Sequence, residues 1–97
     1  MNLYTIRRPS RWANAEELQA TAKRSADVGD EMSDDIRWIR SYVVQEPDGT
    51  LGTVCIYQAS SPGKIREHAE RVGMPALEIL EVADTVIVRP DPVEASV

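Results

Sequence analysis

One tight turn constrains most of what this chain can fold into. Glu46-Pro47-Asp48-Gly49-Thr50 is turn chemistry, and Asp48-Gly49 is the strongest hairpin signal in the sequence. On either side lies a run rich in β-branched and aromatic residues, Ile36 to Gln45 and Leu51 to Ala59. A connection this short joins antiparallel neighbours, so the two runs predict a β-hairpin at the centre of the chain.

The flanks of the hairpin carry helix signals. Asn14 is a good N-cap, Glu17 three residues later completes a capping-box pattern, and small residues recur at helical spacing after it. This predicts a helix over about residues 14 to 32, able to lie close to whatever it covers. Ser61-Pro62 is an N-cap followed by proline at the first helical position, Ile65, Ala69 and Val72 mark a buried face, and Gly73 stands where a helix C′ glycine belongs. Pro75 prevents continuation. A β-like alternation from Leu3 to Arg8, stopped by Pro9, opens the chain, and Leu77 to Val88 carries the last strand signal before a loose tail. The order β-α-β-β-α-β is that of a ferredoxin-like α+β domain, with a four-stranded antiparallel sheet and two helices on one face. The bare sheet face suggests two subunits pairing as a dimeric α+β barrel, or an enclosed ligand.

With 97 residues there is room for one domain, expected over 1–89 with a C-terminal tail over 90–97. A formal net charge of −5 argues against nucleic acid as a partner. No apolar run has the length of a membrane span or a signal peptide, and one cysteine, Cys55, excludes an intramolecular disulfide. A cytoplasmic location is the expectation. Arg7, Arg8 and Arg11 form a basic cluster, which is either a solvated strand end or a contact for a small anion. With Trp12 the same cluster is a third candidate, a patch for a protein partner, although Trp12 reads more readily as a cap over the core.

Strand alternation divides the hairpin into two faces. The simplest match puts Ile39, Val43, Val54 and Ile56 under the helices and leaves Trp38, Arg40, Tyr42, Thr53, Cys55 and Tyr57 bare, an assignment that a one-residue bulge inverts. Such a face suits a dimer interface or a small-molecule pocket, and Tyr4, Trp38, Arg40 and Tyr42 are its candidate pocket residues. Cys55 is either a small buried hydrophobe or a soft ligand. His68, bordering the buried face of the second helix, is either a packing residue or a metal ligand. On this face assignment Cys55 and His68 cannot share an ion within one subunit. Glu67, a tyrosine, water or a second subunit are the candidates for completing a site. The acidic run Asp27, Asp30, Glu31, Asp34 and Asp35 lacks the spacing of an EF-hand loop and reads as a solvated helix end.

Three blocks carry a family resemblance: Arg37-Trp38-Ile39-Arg40-Ser41-Tyr42-Val43, Cys55-Ile56-Tyr57-Gln58-Ala59, and the stretch from Ile65 through His68-Ala69 to Gly73-Met74-Pro75. Together they resemble a small bacterial family of nickel-binding, ferredoxin-like proteins otherwise known as a domain of unknown function. The likeness runs from Tyr4 to about Val82. It implies a dimeric α+β fold and a nickel-responsive or metal-binding role, with nickel or another divalent transition metal as the ligand and no organic cofactor. Cys55, Tyr57 and His68 match the family blocks as candidate metal ligands, with Glu67 behind them. The chain departs from the pattern at Arg8-Pro9-Ser10-Arg11-Trp12, in its longer hairpin from Glu46 to Gly52, and in its tail. The expectation is a homodimer that binds nickel. The alternative is a small-molecule-binding or enzymatic barrel of the monooxygenase or isomerase kind, using a pocket between the sheets.

Overall fold

A computed structural model describes residues 1–74, 76 and 78–92. The elements run β1 (Asn2–Trp12), α1 (Ala15–Glu31), β2 (Ile36–Gln45), β3 (Leu51–Ala59), α2 (Pro62–Val72) and β4 (Glu78–Glu81). The strands form one antiparallel sheet in the order β2-β3-β1-β4. This is the ferredoxin-like α+β arrangement expected from the sequence.

The local signals explain the element ends. Asn14 Oδ1 accepts the Glu17 N–H at 3.0 Å, and the Glu17 carboxylate accepts the Ala13 N–H at 2.8 Å. Together they hold the first turn of α1 from both sides. Ser61 caps α2, Pro62 follows it, and Gly73 closes the helix with a φ of 84°, a left-handed conformation that favours glycine. In the hairpin, Gly49 has a φ of 88°, and the Glu46 N–H donates to the Thr50 carbonyl at 3.0 Å.

Two strands differ from expectation. β1 does not stop at Pro9. It continues to Trp12 through an irregularity between Arg8 and Trp12, where Ser10 takes a φ of 48° and pairing with Leu51 resumes. Pro9 lacks the N–H a regular ladder needs, so the strand bulges rather than ends. β4 is far shorter than Leu77 to Val88. It spans Glu78–Glu81, and its pairing partner on β1 ends at Tyr4, so the ladder has little left to extend along. Pro75 and Leu77 lie outside the described residues, as does 93–97 of the expected tail.

The core lies between the sheet and the helices. Tyr4, Ile6, Cys55, Tyr57 and Ala59 from the strands meet Ile65 of α2, with Met32 and Ile36 closing one end. Trp12 is buried beside Val72 and Met74, and its Nε1 donates to Thr21 of α1 at 3.0 Å. Trp12 is therefore a cap over the core. Two residues of the acidic run are tied down by ion pairs. Glu31 pairs with Arg71 at 2.9 Å, and Asp35 pairs with Lys64 at 3.6 Å and accepts from the Ser60 hydroxyl at 3.0 Å.

After β4 the chain turns across the open face of the sheet. The Val82 N–H donates to the Leu3 carbonyl at 2.9 Å, and Asp91 reaches Arg40 and Tyr42 on β2, the opposite edge strand. Val86, Ile87 and Val88 remain exposed along the way, as does Leu80 of β4.

Candidate functional site

The hairpin faces are set by one residue. Trp38 stands opposite Tyr57 and Arg40 opposite Ile56, so Ile39 is a bulge with no partner on β3. Beyond the bulge Ser41 pairs with Cys55 and Val43 with Thr53. The expected face assignment is corrected accordingly. Thr53, Cys55 and Tyr57 lie under the helices, and Trp38, Ser41 and Val43 join them. Arg40, Tyr42, Val54 and Ile56 belong to the open face. The physical reason is that the bulge breaks the two-residue period on β2, and Tyr57 and Cys55 fill the core in place of Ile56 and Val54.

Thus Cys55 and His68 lie on the same side of the sheet. Their surroundings are nonetheless separate. Cys55 Sγ accepts from the Ser41 hydroxyl at 3.0 Å and from Arg8 Nη1 at 3.9 Å. Tyr57 stacks against Trp38, with ring centroids 6.0 Å apart and planes 1° from parallel, and its hydroxyl shares a 3.1 Å hydrogen bond with Ser25 of α1. Burial pushes the Tyr57 phenol up to about 12, so it stays protonated at neutral pH. His68 is buried at 2% exposure, packs against the Tyr57 ring, and donates from Nε2 to the Ser25 carbonyl at 2.9 Å. Burial pushes its pKa down and keeps the ring neutral. Glu67 stands exposed on α2, 3.6 Å from Lys64.

The expected pocket residues also separate. Trp38 lines the helix side, with its Nε1 donating to Ser41 at 2.7 Å. Tyr4 is buried in the core, its hydroxyl donating to Glu81 at 3.4 Å. Arg40 and Tyr42 are on the open face, both bonded to Asp91, at 2.9 and 2.6 Å.

A cavity of about 470 Å³ opens between α1 and β2. Ala22 and Ser25 are too small to fill the space over the hairpin, so the small-residue face of α1 leaves a gap there instead of a close approach. Arg8, Ser41, Thr53 and Cys55 supply its polar lining, and Trp12, Trp38, Leu18 and Met74 its apolar walls. Sequence reasoning named Arg8 within the basic cluster as a contact for a small anion and Thr53 on the bare face, but placed neither under the helices. The signal available was the in/out period of β1, which places Arg8 on the side of Tyr4 and Ile6.

Residues 4–82 match the family model described as nickel responsive protein SCO4226-like. The chain belongs to this family. Its fold is also that of the crystal structure of SCO4226 from Streptomyces coelicolor A3(2), with a TM-score of 0.69 at 18% identity, covering 87% of this chain and 99% of that one. Comparison with curated proteins finds no match. No helix among the described residues is long and apolar enough to cross a membrane.

Membership in a nickel responsive family raises the question of whether the residues fit a metal. Among the described residues, no three His, Cys, Asp or Glu side chains come together as a metal site. Cys55, Tyr57, His68 and Glu67 do not fit one ion in a single chain. The His68 Nε2 and the Tyr57 hydroxyl are engaged with Ser25, Glu67 faces solvent, and the Arg8 guanidinium beside Cys55 repels a cation.

Proposed function

We propose that this protein is a nickel-binding member of the SCO4226-like family, acting as a homodimer and gathering its metal donors from two copies of the chain. The observation that carries the reading is the family match over residues 4–82. Two features of the chain support the finer statement. One chain brings no three suitable donors together among its described residues, so a site with the four ligands typical of borderline metals needs a second source. The open sheet face, crossed by residues 82–91 but without a covering layer of helices, also presents Leu3, Tyr42, Ile56 and Leu80, which suits a second copy. Cys55, Tyr57 and His68 then serve the fold, and the first two also line the cavity.

Calorimetric titration of untagged protein with nickel at neutral pH, at several protein concentrations, tests this. A site shared between chains gives saturable binding that tightens as protein concentration rises through the dimerisation range. Binding no tighter than about millimolar at any concentration would contradict it. The expected binding survives Tyr57→Phe and His68→Gln. Its loss in those variants, with the fold intact, would return the metal to the single-chain cluster.

A further inference from the structure

The cavity beneath α1 holds a charge with no partner. Arg8 is only 5% exposed and lines this cavity. Among the described residues no carboxylate forms an ion pair with it. Its Nε has no hydrogen-bond partner, and its Nη1 reaches the Cys55 sulfur at 3.9 Å. Thr53, paired with Arg8 across the β1–β3 ladder, has a buried hydroxyl that is also unpartnered. The neighbouring arginines are satisfied: Arg7 on the Glu46 carboxylate at 2.8 Å, Arg11 on the Gly73 carbonyl at 3.4 Å. The basic cluster of the sequence therefore divides into two arginines that serve the fold and one whose partner is missing. Burying a guanidinium without an anion is strongly unfavourable, and two orphaned buried groups on residues that line one cavity mark where that anion belongs.

We propose that this cavity binds a small organic monocarboxylate with an apolar, ring-sized body, its carboxylate held by Arg8 and Thr53 and its body lying against Trp38 and Met74. The guanidinium fork matches a planar carboxylate in two parallel hydrogen bonds. One unpaired cation and one unpartnered hydroxyl suit a single negative charge. A volume of about 470 Å³ lies within the usual range for small-molecule pockets, and Trp12, Trp38, Leu18 and Met74 give it the apolar walls of such a site. The positive charge of Arg8 sets this site apart from metal binding, so the two are testable separately.

Both tryptophans of the chain line the cavity, which makes their fluorescence the readout. Metal-free, full-length protein is titrated with phenylacetate, with its neutral analogue phenylacetamide, and with acetate. Phenylacetate is expected to saturate and to bind more tightly than either of the others by about tenfold or more. Arg8→Gln is expected to abolish the preference for acid over amide. Its melting temperature without ligand should be no lower than that of the parent chain, because an unpaired buried charge has been removed. Equal binding of acid and amide, no binding of the acid, or acetate binding as well as phenylacetate would each overturn the proposal. The acid-against-amide comparison on the parent chain decides the matter even if no Arg8 variant folds.

Discussion

The Ser41 hydroxyl donates to the Cys55 sulfur at 3.0 Å across the β2–β3 ladder. That contact fixes Cys55 under the helices, because Ser41 reaches that side through the bulge at Ile39. The same bulge sends Arg40 and Tyr42 to the opposite face, where they meet Asp91. One unpaired residue thus separates the groups that a regular strand would have gathered on one surface.

Deleting Ile39 tests this directly. With Ile39 removed, Trp38 and Arg40 become alternating neighbours, as Tyr57 and Ile56 opposite them already are, so every side chain keeps its face. The expected result is a change in stability of about 1 kcal/mol or less, read as a nearly unchanged urea midpoint. Trp38 fluorescence should stay as it is, because its stacking on Tyr57 is kept. A loss of several kcal/mol with a shifted Trp38 emission would contradict this register.

The element order was legible because its signals are local. Asn14 with Glu17, Ser61-Pro62, Gly73 and Asp48-Gly49 each act within a few residues, and the structure uses all of them as caps or turns. The faces were not legible. Val54 and Ile56 are as apolar as Cys55 and Tyr57, so composition cannot decide which pair goes inward, and a bulge leaves no mark at Ile39. Arg8 was hidden for a related reason. Arginine is rarely buried, so its place in the inward period of β1 reads as a surface position. The crossing of the open face by residues 82–91 depends on the distant contact of Asp91 with β2, which no local pattern records.

Tyr57→Phe removes the buried hydroxyl that meets Ser25 at 3.1 Å. The expected cost is about 1 kcal/mol, since the ring packing stays and one hydrogen bond is lost. Chemical denaturation measures it. A cost near zero would show that Ser25 finds another partner.

His68 gives the fold a pH dependence of definite sign. Burial lowers its folded-state pKa below the ordinary value of about 6.5, so the unfolded chain takes up a proton more readily. Its contribution is complete above that unfolded pKa and is lost as pH falls toward the folded one. Stability measured downward from neutral pH should decline, and His68→Gln should flatten that part of the profile. The same slope in the variant would assign it to other groups.

Glu46 acts at lower pH in the same direction. Its carboxylate accepts from the Ser10 N–H at 2.9 Å and from Arg7 at 2.8 Å, and these contacts hold its pKa below the usual carboxylate range. The stability it adds is present above its unfolded pKa and lost as pH falls through the folded value. Glu46→Gln should remove this component. Gly52→Ala probes the same corner, because a Cβ there would collide with the Glu46 carboxylate, with the Arg8 carbonyl at 2.7 Å and with Arg7 at 2.8 Å. A cost of about 1–3 kcal/mol, typical of overpacking, is expected in thermal or urea unfolding.

Native mass spectrometry of untagged protein with added nickel tests the central claim most directly, because it reads metal content and chain number in one species. The account predicts nickel carried by the two-chain species, with the single chain metal-free. Nickel held by single chains, or two-chain species that never carry it, would contradict a site built from two copies.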